Sequence, residues 1–166
     1  KLDLRNKNKL KSVYKKYAFN IIYHMAAQAG VRKSIKFPTS YVSNNILATT
    51  NLFEVIKDYK RVPVILASSS SVYGIQSQNI FSTNLKTDTP IQMYAVSKKC
   101  TELMGYSYSY QYNIPVIVLR FFTVYGPWGR PDMALFDFTK KILEEKFINV
   151  YNNGRHYRDF TYIDDL

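Results

Sequence analysis

Apolar residues along this chain fall into short continuous runs separated by longer stretches of helical spacing. Residues 19–27 (FNIIYHMAA), 64–68 (VILAS) and 116–122 (VIVLRFF) are runs of the first kind, the pattern of strands buried on both faces. From 41 to 59, Val42, Ile46, Thr49, Phe53 and Ile56 recur at helical intervals before Pro63. From residue 92 onward, Val96, Cys100, Leu103, Ser107 and Tyr110 step by four, three, four and three, a stripe expected to pack inward until Ile114-Pro115 ends the helix. A further helix is predicted over 133–146, capped by Asp132, with Leu135, Phe138, Ile142 and Leu143 inward. Residues 148–151 read as a strand and Asn152-Asn153-Gly154 as a turn. Strand and helix alternate without hairpin signals, which predicts an α/β fold: a parallel sheet with helices on both faces and right-handed crossovers.

In such sheets ligands bind outside the carboxyl ends of the strands. Polar clusters at 24–32, 68–74 and 123–130 stand at those ends and are expected to share one crevice. A loop rich in Ser, Thr, Asn and Gln, residues 69–91, leads into the helix that carries Tyr94 and Lys98. Four residues apart at about 100° per residue, the two share one helix face, opposite the apolar stripe. A phenol with a pKa near ~10 is a poor base at neutral pH, and a nearby ammonium favours its phenolate. The pair can therefore move a proton to or from a hydroxyl. The competing reading is a solvated helix face.

Composition narrows this picture. At 166 residues and 46% hydrophobic content the chain is one domain or part of one, with enough apolar residues for a core. The net charge of +11 raises a nucleic-acid partner, but only residues 1–16 are densely basic. There Leu10, Val13, Tyr14 and Tyr17 mark a half-buried helix with a solvated lysine face, so no nucleic-acid partner is expected. One cysteine, Cys100, excludes an intrachain disulfide and a multi-cysteine metal site; no metal is expected, and the thiol suits a reducing, cytoplasmic setting. No apolar run is long enough to cross a bilayer and no signal-type apolar core opens the chain. The chain begins on Lys1 and stops at Asp164-Asp165-Leu166, in what reads as the first turn of a helix, so a fragment of a longer protein is expected.

Two motifs together are more specific than either alone. The strand-end run ASSSSVYG (67–74) followed by YAVSK (94–98) resembles the extended short-chain dehydrogenase/reductase superfamily of NAD-dependent nucleotide-sugar epimerases and dehydratases. HMAAQAGVR (24–32) and RFFTVYGPWGRPDMA (120–134) are similar to one branch, the UDP-glucuronate 4-epimerases, and RDFTYIDD (158–165) to the family's later substrate-binding segment. The resemblance covers essentially the whole chain.

It implies a Rossmann-like doubly wound parallel sheet, truncated at its N-terminus, with residues 1–128 as the NAD-binding domain and 129–166 as the start of a smaller substrate-binding portion. It also implies tightly bound NAD, a UDP-sugar substrate and a homodimer. By motif position, Tyr94 is the base that takes the 4-hydroxyl proton, Lys98 lowers its pKa and holds the nicotinamide ribose, and Ser69 is the hydroxyl near the 4-oxygen. A neutral hydroxyl suits a developing alkoxide because it donates without adding a charge to desolvate. Asp3 and Leu4 match the adenine contact, Asn45 a nicotinamide-side contact, and Ala26 and Ala27 a close approach of main chain to cofactor. The alternatives are a helix cap at Asp3, a solvated Asn45 and tight helix-sheet packing at the alanines. His24 is read as a core residue at a strand end.

For the sugar carboxylate the resemblance implies Ser68, Ser69, Ser70 and Thr123, the last standing where other branches carry Asn. Arg130 and Arg158, and more weakly Arg32, are candidates for carboxylate and diphosphate. The family's glycine-rich pyrophosphate loop is not among the six glycines of the chain, so the chain as given is expected neither to retain NAD nor to epimerise. Rival readings are a related decarboxylase or 4,6-dehydratase, and a non-catalytic binding or scaffold protein.

Overall fold

A computed structural model describes residues 2–77 and 80–166; Lys1 of the basic segment and Gln78 and Asn79 of the serine-rich loop lie outside the described residues. The chain divides into two compact units, Lys1–Arg120 and Phe121–Leu166.

In the first unit, helix α1 (Lys7–Lys16) starts at Asn6, whose side chain accepts the Lys9 N–H, and buries Leu10 and Tyr14 while its lysines face out. Strand β1 is only Ile22–His24. The expected longer strand fails at both ends: Phe19 packs against the rings of Tyr14 and Tyr17, and the Met25 N–H folds back to the Tyr23 carbonyl. Short helices α2 (Val31–Lys36) and α3 (Pro38–Tyr41) follow, then a π-helical stretch (Val42–Leu47) that runs into α4 (Ala48–Asp58). The helix expected over 41–59 therefore begins earlier, at Pro38, and is widened in its middle around Asn45.

Strand β2 (Val64–Ala67) leads through a 3-10 turn (Ser70–Tyr73) to α5 (Met93–Tyr112). Asn113, in the left-handed conformation, closes α5 ahead of Ile114-Pro115 and β3 (Val116–Leu119). The strands pair in parallel in the order β1-β2-β3, with Ile22, Val64 and Val116 side by side.

The core lies on one face of this sheet. Val64, with Ile22 and Val116, meets Leu52, Phe53, Val55 and Ile56 of α4 and Met104, Tyr108 and Tyr112 of α5. On the opposite face Tyr23 and Ile117 are exposed, where helices were expected on both. Within the described first unit the packed helices α4 and α5 cover only the Val64 side.

The inward stripe expected for α5 is also corrected. Leu103 and Tyr110 are exposed and Val96, Cys100 and Ser107 only half-buried, whereas Ala95, Ser97, Lys98, Thr101, Glu102 and Gly105 are buried. Small residues let this helix approach closely: a Cβ on Gly105 would stand 3.1 Å from Val116 Cγ1 and 3.6 Å from Leu66 Cδ2.

The second unit holds β4 (Thr123–Tyr125), α6 (Ala134–Leu143), a 3-10 turn (Tyr151–Gly154) and β5 (Phe160–Tyr162), with β4 and β5 parallel. The predicted strand 116–122 thus ends at Leu119, and the chain re-enters a second sheet at Thr123. Residues 148–150 form no strand and Tyr151 opens the turn; the strand of this region is β5 instead. Asp132 binds Arg130 rather than capping α6, whose N-cap position is Met133. Leu135, Ile142 and Leu143, expected inward, are exposed.

Candidate active site

In the first unit the candidate residues gather at the carboxyl ends of β1 and β2. Lys98 reaches from α5 to the last residue of β2, its Nζ donating to the Ala67 carbonyl at 2.6 Å. Only 6% of it is exposed, and this burial lowers its pKa to about 8. Ser69, two residues past Ala67, is buried, and its hydroxyl accepts the Ser71 N–H at the head of the 3-10 turn. Tyr94 lies one helical turn before Lys98, half-buried, with its ring edge-on to Tyr41 at 6.2 Å between centroids. Lys98 and Ser69 thus stand at one strand end, and α5 carries Tyr94 one turn before Lys98.

Gly74 lets the serine turn close. Its φ is +63°, and a Cβ there would come within 2.5 Å of the Thr89 carbonyl oxygen, so only glycine fits.

Asn45 is 1% exposed, and its carboxamide is fully used. Its oxygen accepts the Gln28 N–H at 2.7 Å, and its nitrogen donates to the Gln28 carbonyl at 3.1 Å and to Ser97 Oγ at 2.9 Å. Ser97 in turn donates to the Tyr94 carbonyl. The π-helical stretch therefore ties the segment after β1 to the turn of α5 that bears Tyr94. Ala26 and Ala27, in that segment, are exposed, which leaves the end of β1 without side-chain bulk and excludes tight helix-sheet packing as their role.

Elsewhere in the unit, Asp3 is exposed and forms a two-pronged pair with Arg5, which holds its carboxyl down at about 2; Asn6, not Asp3, caps α1. Leu4 packs on the edge of the core, and its carbonyl accepts from Asn51. Arg32 is exposed on α2.

Two residues, Glu102 and Arg120, carry side-chain chemistry that sequence reasoning left unassigned. Glu102 is buried and receives Ser68 Oγ at 2.5 Å together with Arg120 Nε and Nη2, each at 2.9 Å. Its place four residues after Lys98 was the only signal available, and Arg120 reads as the polar end of an apolar strand. His24 is buried at the end of β1 with Nε2 2.8 Å from Thr49 Oγ1. Burial first, and the Lys98 charge second, lower its pKa to about 4.

The second unit brings Thr123, Arg130 and Arg158 to the walls of one cleft of about 570 Å³. Most of its lining is apolar, including Met133, Leu135, Phe136, Leu143 and Phe160. Arg130 is held by Asp132, and Arg158 Nη1 donates to the Tyr157 carbonyl. Among the described residues no group of three or more His, Cys, Asp or Glu could hold a metal ion, and no helix is long and apolar enough to cross a membrane.

Residues 1–166 match the NAD dependent epimerase/dehydratase family. The chain belongs to this family. Among curated relatives it is 48% identical to Protein CapI of Staphylococcus aureus over 166 residues, covering 100% of this chain and 50% of that protein. It is 47% identical to a UDP-glucuronate 4-epimerase of Thermodesulfobacterium geofontis, covering 99% and 51%. A crystal structure of UDP-glucuronic acid 4-epimerase from Bacillus cereus, in complex with UDP-glucuronic acid and NAD, superposes with a TM-score of 0.91 at 40% identity, over 99% of this chain and 51% of that one. The chain spans about half the length of these two curated relatives. Its parallel sheet and crossover helices are a Rossmann-like arrangement of the same class as these neighbours.

Proposed function

We propose that the protein carrying this chain interconverts UDP-glucuronate and UDP-galacturonate through a transient 4-keto sugar, using tightly bound NAD. The observation that carries this reading is that Lys98 and Ser69 stand at the end of β2, with Tyr94 on the same helix as Lys98. Likeness to UDP-glucuronate 4-epimerases supports the choice of sugar.

The residues fit the nicotinamide end of the cofactor: a buried lysine at a strand end and two exposed alanines beside it leave room for a ribose and a donor to hold it. Lys98, Asn45 through the segment it anchors, Ala26 and Ala27 would line that end, and Asp3 and Leu4 the adenine end. No residue of these 166 is assigned to the pyrophosphate. When bound there, NAD would supply the hydride acceptor and donor for C4 of the sugar.

Tyr94 takes the 4-hydroxyl proton and gives it back. Lys98, one helical turn along α5, would hold the nicotinamide ribose, and Ser69 donates to the oxygen on which charge develops. By the resemblance, Ser68, Ser69, Ser70 and Thr123 offer hydroxyls to the sugar carboxylate, while Arg130 and Arg158, with Arg32, serve its charge and the diphosphate. The cleft shared by Thr123, Arg130 and Arg158 supports grouping those three. Residues 1–128 then belong to the NAD-binding part and 129–166 to the substrate-binding part.

We also assign a cytoplasmic setting, a place in polysaccharide precursor supply and a homodimer. Exposed Leu103, Tyr106 and Tyr110 on the outer side of α5 are apolar surface for a second copy.

The test is product analysis with a protein of the relatives' length. UDP-galacturonate should form from UDP-glucuronate, and Tyr94→Phe should slow this by about 10²–10⁴-fold with nearly unchanged substrate affinity. A 4-keto uronic acid is a β-keto acid, so loss of carbon dioxide is the competing outcome. UDP-pentose as the main product, or a Tyr94→Phe variant at half the normal rate, overturns the reading. Thr123→Val should weaken use of UDP-glucuronate more than binding of UDP-glucose; equal losses would reduce Thr123 to packing.

A further inference from the structure

The pair of buried Glu102 and half-buried Arg120 has no part in the proton transfer just described, yet the carboxylate draws its hydrogen-bond donors from the ends of two strands, β2 and β3. Glu102 Oε1 takes Ser68 Oγ at 2.5 Å and Arg120 Nε at 2.9 Å; Oε2 takes Arg120 Nη2 at 2.9 Å, with Lys99 Nζ at 3.9 Å. Glu102 is 8% exposed, and the guanidinium of Arg120 lies over the Tyr73 ring, 5.0 Å from its centroid. The two-pronged pair with Glu102 raises the Arg120 pKa, so the guanidinium stays charged at neutral pH.

These contacts close on a short piece of chain. The Ala67 carbonyl is held by Lys98, the Ser68 N–H by the Leu119 carbonyl at 2.8 Å, and the Ser68 hydroxyl by Glu102. Tyr73, at the far end of the 3-10 turn, is held by Arg120. Ser69 lies between the two grips. A buried ion pair is weak evidence for stability, since a well-packed apolar pair of similar volume serves as well. What the carboxylate and fork add is direction, because each donor must lie along a lone pair.

We infer that Glu102 and Arg120 are positioning residues that fix the serine turn, and with it the Ser69 hydroxyl, relative to Tyr94 and Lys98 on α5. This rests on the epimerase reading above. It also changes the part of Ser68: its hydroxyl proton is committed to Glu102, so it holds the turn rather than reading the sugar carboxylate.

The test uses the complete NAD-loaded enzyme with Ser68→Ala, Glu102→Gln, Arg120→Lys and the Ser68→Ala/Glu102→Gln double variant. Misplacing a reacting group by a fraction of an ångström should lower kcat about 10- to 100-fold for Glu102→Gln. KM for UDP-glucuronate should stay within about threefold and NAD content should be full. Ser68→Ala should show a smaller fall in kcat of the same kind, and the double variant should be no slower than Glu102→Gln alone. Arg120→Lys, which keeps the charge and loses the fork, should lower kcat less than Glu102→Gln does.

Amide hydrogen exchange over residues 69–73 should speed up in Glu102→Gln and Ser68→Ala alike. A Ser68→Ala enzyme with unchanged kcat and unchanged exchange overturns the inference, even where Glu102→Gln fails to fold. A rise in KM alone would instead make Ser68 a substrate contact and also overturn it. A wild-type enzyme that does not epimerise removes the proposed reaction, and the exchange measurement then still decides the clamp.

Discussion

Helices α5 and α6 use their apolar residues in opposite ways. Along α6, Leu135, Phe136, Ile142 and Leu143 share one side, yet all four are exposed and no residue of the helix is buried. Along α5 the exposed residues include Leu103, Tyr106 and Tyr110, while hydroxyls, a lysine and a glutamate are buried. Each of those buried groups has a partner: Ser97 with Asn45, Lys98 with the Ala67 carbonyl, Thr101 with the Lys98 carbonyl, Glu102 with Ser68 and Arg120. Among the described residues no buried side-chain nitrogen or oxygen lacks one. Apolar spacing therefore tells which side of a helix wants cover, not which side the fold covers. A polar side is buried only where neighbours can meet every donor and acceptor on it.

The strongest way to break this contrast is to remove what α5 packs against. Phe53 of α4 is fully buried and stacks on Tyr108 of α5 at 5.0 Å, with a planar angle of 19°. Phe53→Ala should cost about 3–5 kcal/mol in chemical denaturation, the sum of lost transfer energy and a cavity that the sheet cannot fill. A loss below about 1 kcal/mol would mean that the polar partners, and not the apolar seam, hold α5 in place.

A smaller effect belongs to His24, at the end of β1 and near Lys98. Its pKa is about 4 in the folded chain against an ordinary value of 6.5, so between those values the unfolded chain binds more protons. Stability is then highest above pH 6.5 and falls as pH drops toward 4. Between pH 7 and pH 5 the loss should be about 2 kcal/mol, a range in which carboxylates contribute little. His24→Gln should flatten that slope in denaturation curves taken at the two pH values. An unchanged slope in the variant would assign the loss to other groups.

Much of the fold was legible because β1, β2 and β3 are apolar runs at the right separations, and the grouping of the candidate residues because Tyr94 and Lys98 share a helix behind a serine-rich strand end. What escaped has physical causes. The burial of Lys98 and Glu102 depends on partners at the ends of β2 and β3, which no helical periodicity records. Gly105 marks the close approach, but a glycine within a helix also reads as mere weakness. Strand β5 is three residues long, and its pairing with β4 lies 37 residues away in register, Thr123 with Phe160. Residues 148–151 carry the apolar pattern of a strand, and yet 149–151 are exposed.

The smallest effect tests α6 directly. Leu143 is 80% exposed at the end of the helix, and Gln has nearly the helix propensity of Leu. In the 166-residue chain Leu143→Gln should change stability by no more than about 0.5 kcal/mol, as surface substitutions do, while reducing self-association through the apolar side of α6. In a protein of the relatives' length the same substitution is the sharper measurement, because full burial of a leucine is worth about 1.5–3 kcal/mol. A cost rising to that level there, with none in the shorter chain, would place the partner of this stripe outside these residues. A cost above about 1 kcal/mol in the 166-residue chain itself would show that α6 is already packed, and the contrast with α5 would fall.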